Sequence, residues 1–222
     1  MSAKKRPVIF CDFDGTITLS DNIVAIMKHF KPEGYESIME QTVAQHLSIQ
    51  EGVGAMFNLI PAGFQDEVTR FVLDQAGIRD GFKEFLEYVR EQDIEFNVTS
   101  GGIDFFVLPL LEPFGIPAEH IYCNHADFSQ DTIRIEWPYP CDEHCSNGCG
   151  MCKTTVMRKY PAEQYERILI GDSLTDFEGA KLADRIYSRA RLTEKCRELG
   201  VAHISFETFH DIIRDMRHRE EG

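Results

Sequence analysis

Residues Val8–Ile17, VIFCDFDGTI, constrain this chain more than any other stretch. A short apolar run of strand length delivers two carboxylates, one residue apart, onto a glycine. Asp12 and Asp14 are therefore expected at a strand's carboxyl end, and in open α/β sheets the crevice beyond those ends is where ligands bind. Side chains alternate along extended backbone, so the two acids are expected to do different jobs. One carboxylate can attack phosphorus to form an aspartyl-phosphate, and its neighbour can carry protons to and from the leaving oxygen. Two acids also offer hard oxygens suited to Mg²⁺. The plain alternative is a strand that runs into an Asp-Gly turn.

Three more stretches follow. Glu95–Gly102, EFNVTSGG, reads as a strand ending in a hydroxyl and two glycines. Lys153 opens an expected helix over 153–159. Arg167–Asp176, RILIGDSLTD, is another strand ending in two acids four apart. Each has its own plain alternative: a turn, a solvated helix lysine, a helix cap. Taken in order with Asp12-Phe13-Asp14-Gly15-Thr16, they resemble the four motifs of the haloacid dehalogenase (HAD) superfamily of phosphotransferases.

That resemblance implies hydrolysis of a phosphate monoester. Asp12 is then the nucleophile and Asp14 the general acid and base. Asp12, the backbone carbonyl of Asp14, and Asp172 would hold Mg²⁺. Asp176 supports, either through water on the ion or by orienting Lys153. Ser100, the Gly101 N–H and Lys153 are the donors for the phosphoryl oxygens, where negative charge spreads during transfer.

The formal net charge of −14 argues against a nucleic-acid surface. It also requires that local positive charge, from Lys153 and a metal, be concentrated where an anionic ester binds. No apolar run reaches the roughly 18 residues of a membrane span. The basic start, Met1–Pro7, is followed by an apolar segment that Asp12 interrupts too soon for a signal core. A cytoplasmic protein acting on a small phosphorylated metabolite is expected, with no nucleic-acid or membrane partner; oligomeric state is left open.

Alternating strands and helices predict an α/β fold with a Rossmann-like, doubly wound parallel sheet. Residues 1–18 and 78–222 are expected to form the core, and 119–152 to carry a small hairpin and a cysteine-rich loop. From Asn22 to about Gly77 the pattern is helical, with breaks at 31–34 and 61–63. One crossover helix would suffice there. The surplus is the size of a helical cap over residues 19–77, although the same helices could simply cover one face of the sheet. Gly81–Gln92 reads as amphipathic, and 103–114 as a helix that Pro109 kinks or ends early. Closing helices are expected over 193–199 and 208–217, with a frayed end after them.

The segment Cys141–Cys152 packs four thiols and an imidazole into twelve residues, spaced C-x₃-C-x₃-C-x₂-C, directly before Lys153. Cys141, Cys145, Cys149 and Cys152 could hold tetrahedral Zn²⁺. The spacing lacks the long central gap of ordinary zinc ribbons, so reduced thiols or a disulfide remain alternatives.

Within the superfamily the motif style is similar to the phosphoserine-phosphatase-like branch. Phosphoserine phosphatases carry a glutamate soon after motif I and a cap arginine; here Asp21 stands at the former position, and no arginine occurs from Pro7 to Thr69. In DFDGTIT from Asp12 followed by Asp21-Asn22-Ile23, in Trp137-Pro138 before the cysteine loop, in CSNGCG from Cys145, and in GDSLTD from Gly171, the chain more closely resembles the methionine-salvage phosphatases, which act on the 1-phosphate of a hydroxy-keto-methylthiopentene, a step of amino-acid biosynthesis. A neutral ketone with a thioether tail needs an apolar pocket with few charges, which Met56, Phe57, Leu59 and Ile60 could line unless they are simply cap core; Asp21, Met56 and Phe57 are the candidate substrate residues. Other small-metabolite phosphatases or phosphotransferases, and more remotely a zinc-dependent binding module, are the alternatives.

Overall fold

The computed structural model describes residues 5–220. Among these, seven strands lie in the order β4-β3-β2-β1-β5-β6-β7. They are β1 (Arg6–Cys11), β2 (Glu95–Ile103), β3 (Ile121–Asp127), β4 (Arg134–Glu136), β5 (Tyr165–Gly171), β6 (Arg185–Ser188) and β7 (Ile204–Ser205). All pairings are parallel except β3 with β4.

The central strand explains its own composition. Val8 and Phe10 point to one face, into a cluster with Val156, Met157, Ala180 and Leu192. Ile9 and Cys11 point to the other, among Phe85, Phe106 and Phe209. A parallel strand covered on both faces must be apolar throughout, and β1 is. The helices of the first face are α7 (Lys153–Arg158), α8 (Phe177–Ala180) and α9 (Ala190–Glu198); those of the second are α5 (Phe82–Glu91), α6 (Asp104–Leu111) and α10 (Phe209–Glu220). On α5, Phe82, Phe85, Leu86, Tyr88 and Val89 are buried, the spacing of an amphipathic helix.

Residues 22–75 form α1 (Asn22–Phe30), α2 (Tyr35–Val43), α3 (Ile49–Phe57) and α4 (Gln65–Gln75). A bridge between Thr18 and Ile78 closes the neck of this insert. Its apolar residues, including Ile26, Met27, Val53 and Val68, belong to the same continuous cluster as the second sheet face. A second tie joins the insert to the β3–β4 hairpin: Ala62 N–H donates to Asp131 O at 3.0 Å and Ile133 N–H to Ile60 O at 2.9 Å.

Four details differ from the sequence reading. The antiparallel hairpin of 121–137 forms, and its β3 also pairs with β2, which extends the main sheet and gives it one antiparallel edge. Pairing of β2 with β3 slips between Thr99 and Ile103, so the glycines there lie on irregular strand. The two-residue β7 carries too little pattern to be seen in sequence. The last helix continues to Glu220 instead of fraying after Arg217. Met1–Lys4, within the basic start, and the final two residues lie outside the described residues.

No helix among the described residues is long and apolar enough to cross a membrane. Phe85, fully buried, has its ring 5.1 Å from that of Phe209 and 6.0 Å from that of Phe96. Phe85→Ala is expected to cost about 3–5 kcal/mol of stability. Urea unfolding would read this as a lower midpoint, and turnover per folded molecule should be unchanged.

Candidate active site

The strand order reverses direction at β1, with β2 on one side and β5 on the other. In such a sheet the crevice opens beyond the carboxyl ends of the strands that flank the switch. Asp12 follows β1 and Asp172 follows β5, so the two acids face each other across that crevice.

Carboxylate oxygens of Asp12, Asp172 and Asp176 all lie within 4.8 Å of one another. Lys153, at the first position of α7 and 7% exposed, enters between two of them. Its Nζ lies 2.6 Å from Asp12 Oδ1 and 2.8 Å from Asp176 Oδ1. Asp176 Oδ2 accepts from the N–H groups of Asp172 at 3.1 Å and Ser173 at 2.9 Å, which folds the loop after β5. Asp176 Oδ1 meets Lys153 Nζ in that ion pair and has no other polar partner among the described residues.

Electrostatics follow from this geometry. Burial pushes Asp12 well above the usual carboxylate range, the Asp176 charge adds, and Lys153 opposes. Burial and the Asp176 charge push Asp172 to about 6. Burial would pull Lys153 down, but the charges of Asp12 and Asp176 outweigh it and hold the ammonium firmly protonated. Two buried carboxylates and the half-buried Asp172 against one ammonium leave an excess of negative charge, which suits a further cation. Oxygen donors of this kind fit Mg²⁺.

Asp14 is held apart from this cluster. Its Oδ1 accepts from Asn22 N–H at 3.0 Å and from Asn22 Nδ2 at 2.7 Å. Burial pushes its carboxyl up to about 7, the Asp21 charge adds, and the Asn22 hydrogen bonds pull the other way. A carboxyl that holds a proton near neutrality can donate it. Ser100 Oγ, buried, accepts from Gly102 N–H at 2.9 Å. A Cβ at position 102 would stand 2.6 Å from Asp14 Oδ2 and 2.9 Å from Ser100 Oγ, whereas one at position 101 would meet open space. Gly102 is thus the sterically required glycine of the pair, and the open side lies at Gly101.

The turn between Asp12 and Asp21 has its own supports. Gly15 has φ +80°, and a Cβ there would stand 2.5 Å from Asp172 Oδ2. Glycine alone satisfies both the conformation and the space. Thr16 Oγ1 donates to Asp172 Oδ1 at 3.0 Å. Arg79, 6% exposed, donates to the carbonyls of Thr16 at 2.7 Å, Gly15 at 2.8 Å and Thr18 at 3.1 Å. Arg189 adds a bond to Gly15 O at 2.7 Å.

Arg79, Arg189 and Asn22 escaped the sequence reading. Asn22 reads in the sequence as part of a Ser20-Asp21-Asn22 helix start with short capping side chains, with no sign that it meets Asp14, and the two arginines have no local pattern at all. Asp21 caps α1, its Oδ1 accepting from Val24 N–H at 2.9 Å, with the side chain exposed. Met56 and Phe57 are buried in the apolar cluster, and the Phe57 ring packs 6.2 Å from that of Phe105. Their position is in the core of the helical insert. Cys141, Cys145, Cys149 and Cys152 form a separate cluster beside α7, their sulfurs within 4.8 Å of one another.

A profile of the haloacid dehalogenase-like hydrolases matches residues 9–181. A 2-hydroxy-3-keto-5-methylthiopentenyl-1-phosphate phosphatase of Brevibacillus brevis is 52% identical over 95% of both chains. One of the same name from Bacillus cytotoxicus is 49% identical, covering 96% of this chain and 97% of its own. Among solved structures, a phospho-aspartyl intermediate analogue of phosphoserine phosphatase superposes with TM-score 0.68 at 19% identity, covering 95% of this chain and 99% of that one. A substrate-bound phosphoserine phosphatase gives 0.70 at 18%, covering 95% and 98%. At those identities the structures speak to fold alone.

Arg79→Met would strip the Thr16 and Thr18 carbonyls of their buried donor. A loss of about 3 kcal/mol or more is expected in chemical denaturation. Arg79→Lys should recover only part of it, because an ammonium cannot reproduce the planar fork.

Proposed function

Because this chain belongs to the haloacid dehalogenase-like hydrolases, we propose that it removes the phosphate of 2-hydroxy-3-keto-5-methylthiopentenyl-1-phosphate, yielding 1,2-dihydroxy-3-keto-5-methylthiopentene in methionine salvage. The observation that carries this reading is identity near one half to phosphatases of that name over almost the whole of both chains. The acid cluster around Lys153 supports the reaction type.

In the first step an Asp12 carboxylate oxygen attacks phosphorus, and the bond from phosphorus to the enol oxygen breaks. Asp14 gives its proton to that oxygen. In the second step Asp14 takes a proton from water as the water attacks the same phosphorus. The acyl-phosphate bond breaks, inorganic phosphate leaves, and Asp12 is again a carboxylate. Ser100 Oγ, Gly101 N–H and Lys153 are the proposed donors to the peripheral oxygens, where charge accumulates. Lys153 is suited to this because its neighbours keep it charged.

Asp12, Asp172 and the Asp14 backbone carbonyl are the groups that would hold Mg²⁺, with Asp176, whose oxygens serve Lys153 and the N–H groups of Asp172 and Ser173, in support. The ion, when bound, offsets the negative charge of ester and carboxylates. Residues 19–77 act as the cap that excludes water and selects substrate, a role supported by their place over the motif I turn and by the neck at Thr18 and Ile78. Phosphoserine, the alternative substrate, carries a free carboxylate, for which arginine is the usual bidentate partner. The one arginine of the insert, Arg70, is exposed on α4.

Three outcomes are expected. Steady-state phosphate release should show a large preference in kcat/KM for the enol-phosphate over phosphoserine, and the opposite preference would overturn the substrate assignment. Asp12→Asn should lower turnover on the order of 10⁴-fold or more while the fold persists, whereas Asp14→Asn should lose roughly 10²–10⁴-fold. Asp14 must be protonated to donate, so kcat/KM should decline as pH rises past about 7, the value to which burial lifts it. In Asp14→Asn that alkaline decline should vanish from the residual rate.

A further inference from the structure

The phosphatase chemistry leaves the four clustered cysteines unused. None of them forms a disulfide. Their sulfurs converge within 4.8 Å, and Cys145 Sγ lies 3.9 Å from Cys149 Sγ. A tetrahedral zinc with bonds of about 2.3 Å requires sulfurs about 3.8 Å apart, a separation that Cys145 and Cys149 match and that the other sulfurs, all within 4.8 Å, can reach by small side-chain adjustments. Partners that steady thiolates are also in place. Cys149 N–H donates to Cys141 Sγ at 3.5 Å, and Thr154 Oγ1 lies 3.2 Å from Cys152 Sγ. Gly148 and Gly150, at φ +60° and +76°, turn the chain around the sulfurs.

The loop that carries these thiols touches both halves of the molecule. On the insert side, Gln50 N–H at the start of α3 donates to Gly148 O at 2.9 Å. A Cβ at position 148 would stand 2.6 Å from Ser48, whose side chain caps α3. A Cβ at position 150 would stand 2.7 Å from the Trp137 ring, and one at position 54 of α3 only 3.4 Å from the same ring. On the core side, Cys152 is buried, its N–H donates to Tyr139 O at 2.8 Å, and the next residue is Lys153.

We propose that Cys141, Cys145, Cys149 and Cys152 bind one zinc-class divalent cation per chain, and that this structural ion clamps the start of α3 to the loop that positions Lys153. The cysteines act through Lys153 and the insert, not on substrate. The coordination rests on the sulfurs alone and stands whatever ester the acid cluster takes; the effect on turnover rests on the phosphatase reading above.

The test is metal analysis of the full-length protein together with cobalt substitution. Elemental analysis should find close to one zinc per chain, and Co²⁺ exchanged into the site should give the intense charge-transfer bands of thiolate ligation and the d–d bands of a tetrahedral ion. Asp172→Asn and Cys123→Ser should keep those bands, whereas Cys145→Ser and Cys149→Ser should lose or shift them. For wild type, stripping zinc with a thiol-directed mercurial and a chelator, then restoring the thiols, should lower kcat at least tenfold in saturating Mg²⁺. One equivalent of Zn²⁺, and not further Mg²⁺, should return it. Absence of a bound thiophilic metal, a Cys145–Cys149 disulfide in its place, or cobalt bands that survive Cys145→Ser would overturn the site. Bands as expected with kcat unaffected by zinc removal would overturn the clamp. If the enzyme proved inactive on every ester, the cobalt spectrum would still decide the coordination.

Discussion

Lys153 pairs with Asp12 at 2.6 Å and Asp176 at 2.8 Å in a site where all three side chains are buried, and the architecture serves to hold that contact. Burying ions is costly, and removing one partner of a buried pair leaves an uncompensated charge worth several kcal/mol. The cluster persists because three separate elements deliver its members in fixed positions: β1 carries Asp12, the turn after β5 carries Asp172 and Asp176, and α7 begins at Lys153. Asp172, the third carboxylate, leaves the group negatively charged. A group so charged favours cations.

Rigidity around the motif I turn follows from backbone groups more than from side chains. The turn offers carbonyls inward at Gly15, Thr16 and Thr18, and buried carbonyls need donors. Arg79 meets all three, and it stands directly after the neck where the helical insert rejoins the core. The insert and the nucleophile turn therefore share an anchor. Together with the ties at 60–62 and at Gln50, this joins the insert to the core at its neck, at the β3–β4 hairpin and at the thiol loop.

The legible parts of the sequence were those whose signal is local. An apolar run ending in acids marks β1 and β5, helical spacing marks α5, and Pro and Gly mark breaks in the insert. Asp12, Lys153, Asp172 and Asp176 could be gathered because their order along the chain resembles a known set of motifs. The illegible parts depend on distance. Arg79 reaches its carbonyls across more than sixty residues, Asn22 changes from helix cap to carboxylate partner only once Asp14 folds back on it, and the hairpin joins the sheet through a pairing of β3 with β2 that no local pattern announces. Met56 and Phe57 show a different limit, since an apolar side chain reads the same in a pocket wall and in a core. Their burial, with the Phe57 ring against Phe105 of α6, is a property of packing.

The central claim, that Asp12 carries the phosphoryl group, is tested most directly by trapping. Enzyme turning over its enol-phosphate in Mg²⁺ would be quenched in acid and reduced with borohydride, which converts an aspartyl-phosphate to homoserine. Peptide mass spectrometry should then find homoserine at position 12 and aspartate unchanged at positions 14, 172 and 176. Homoserine at another of these positions, or unmodified Asp12 in enzyme quenched during rapid steady turnover, would contradict the account.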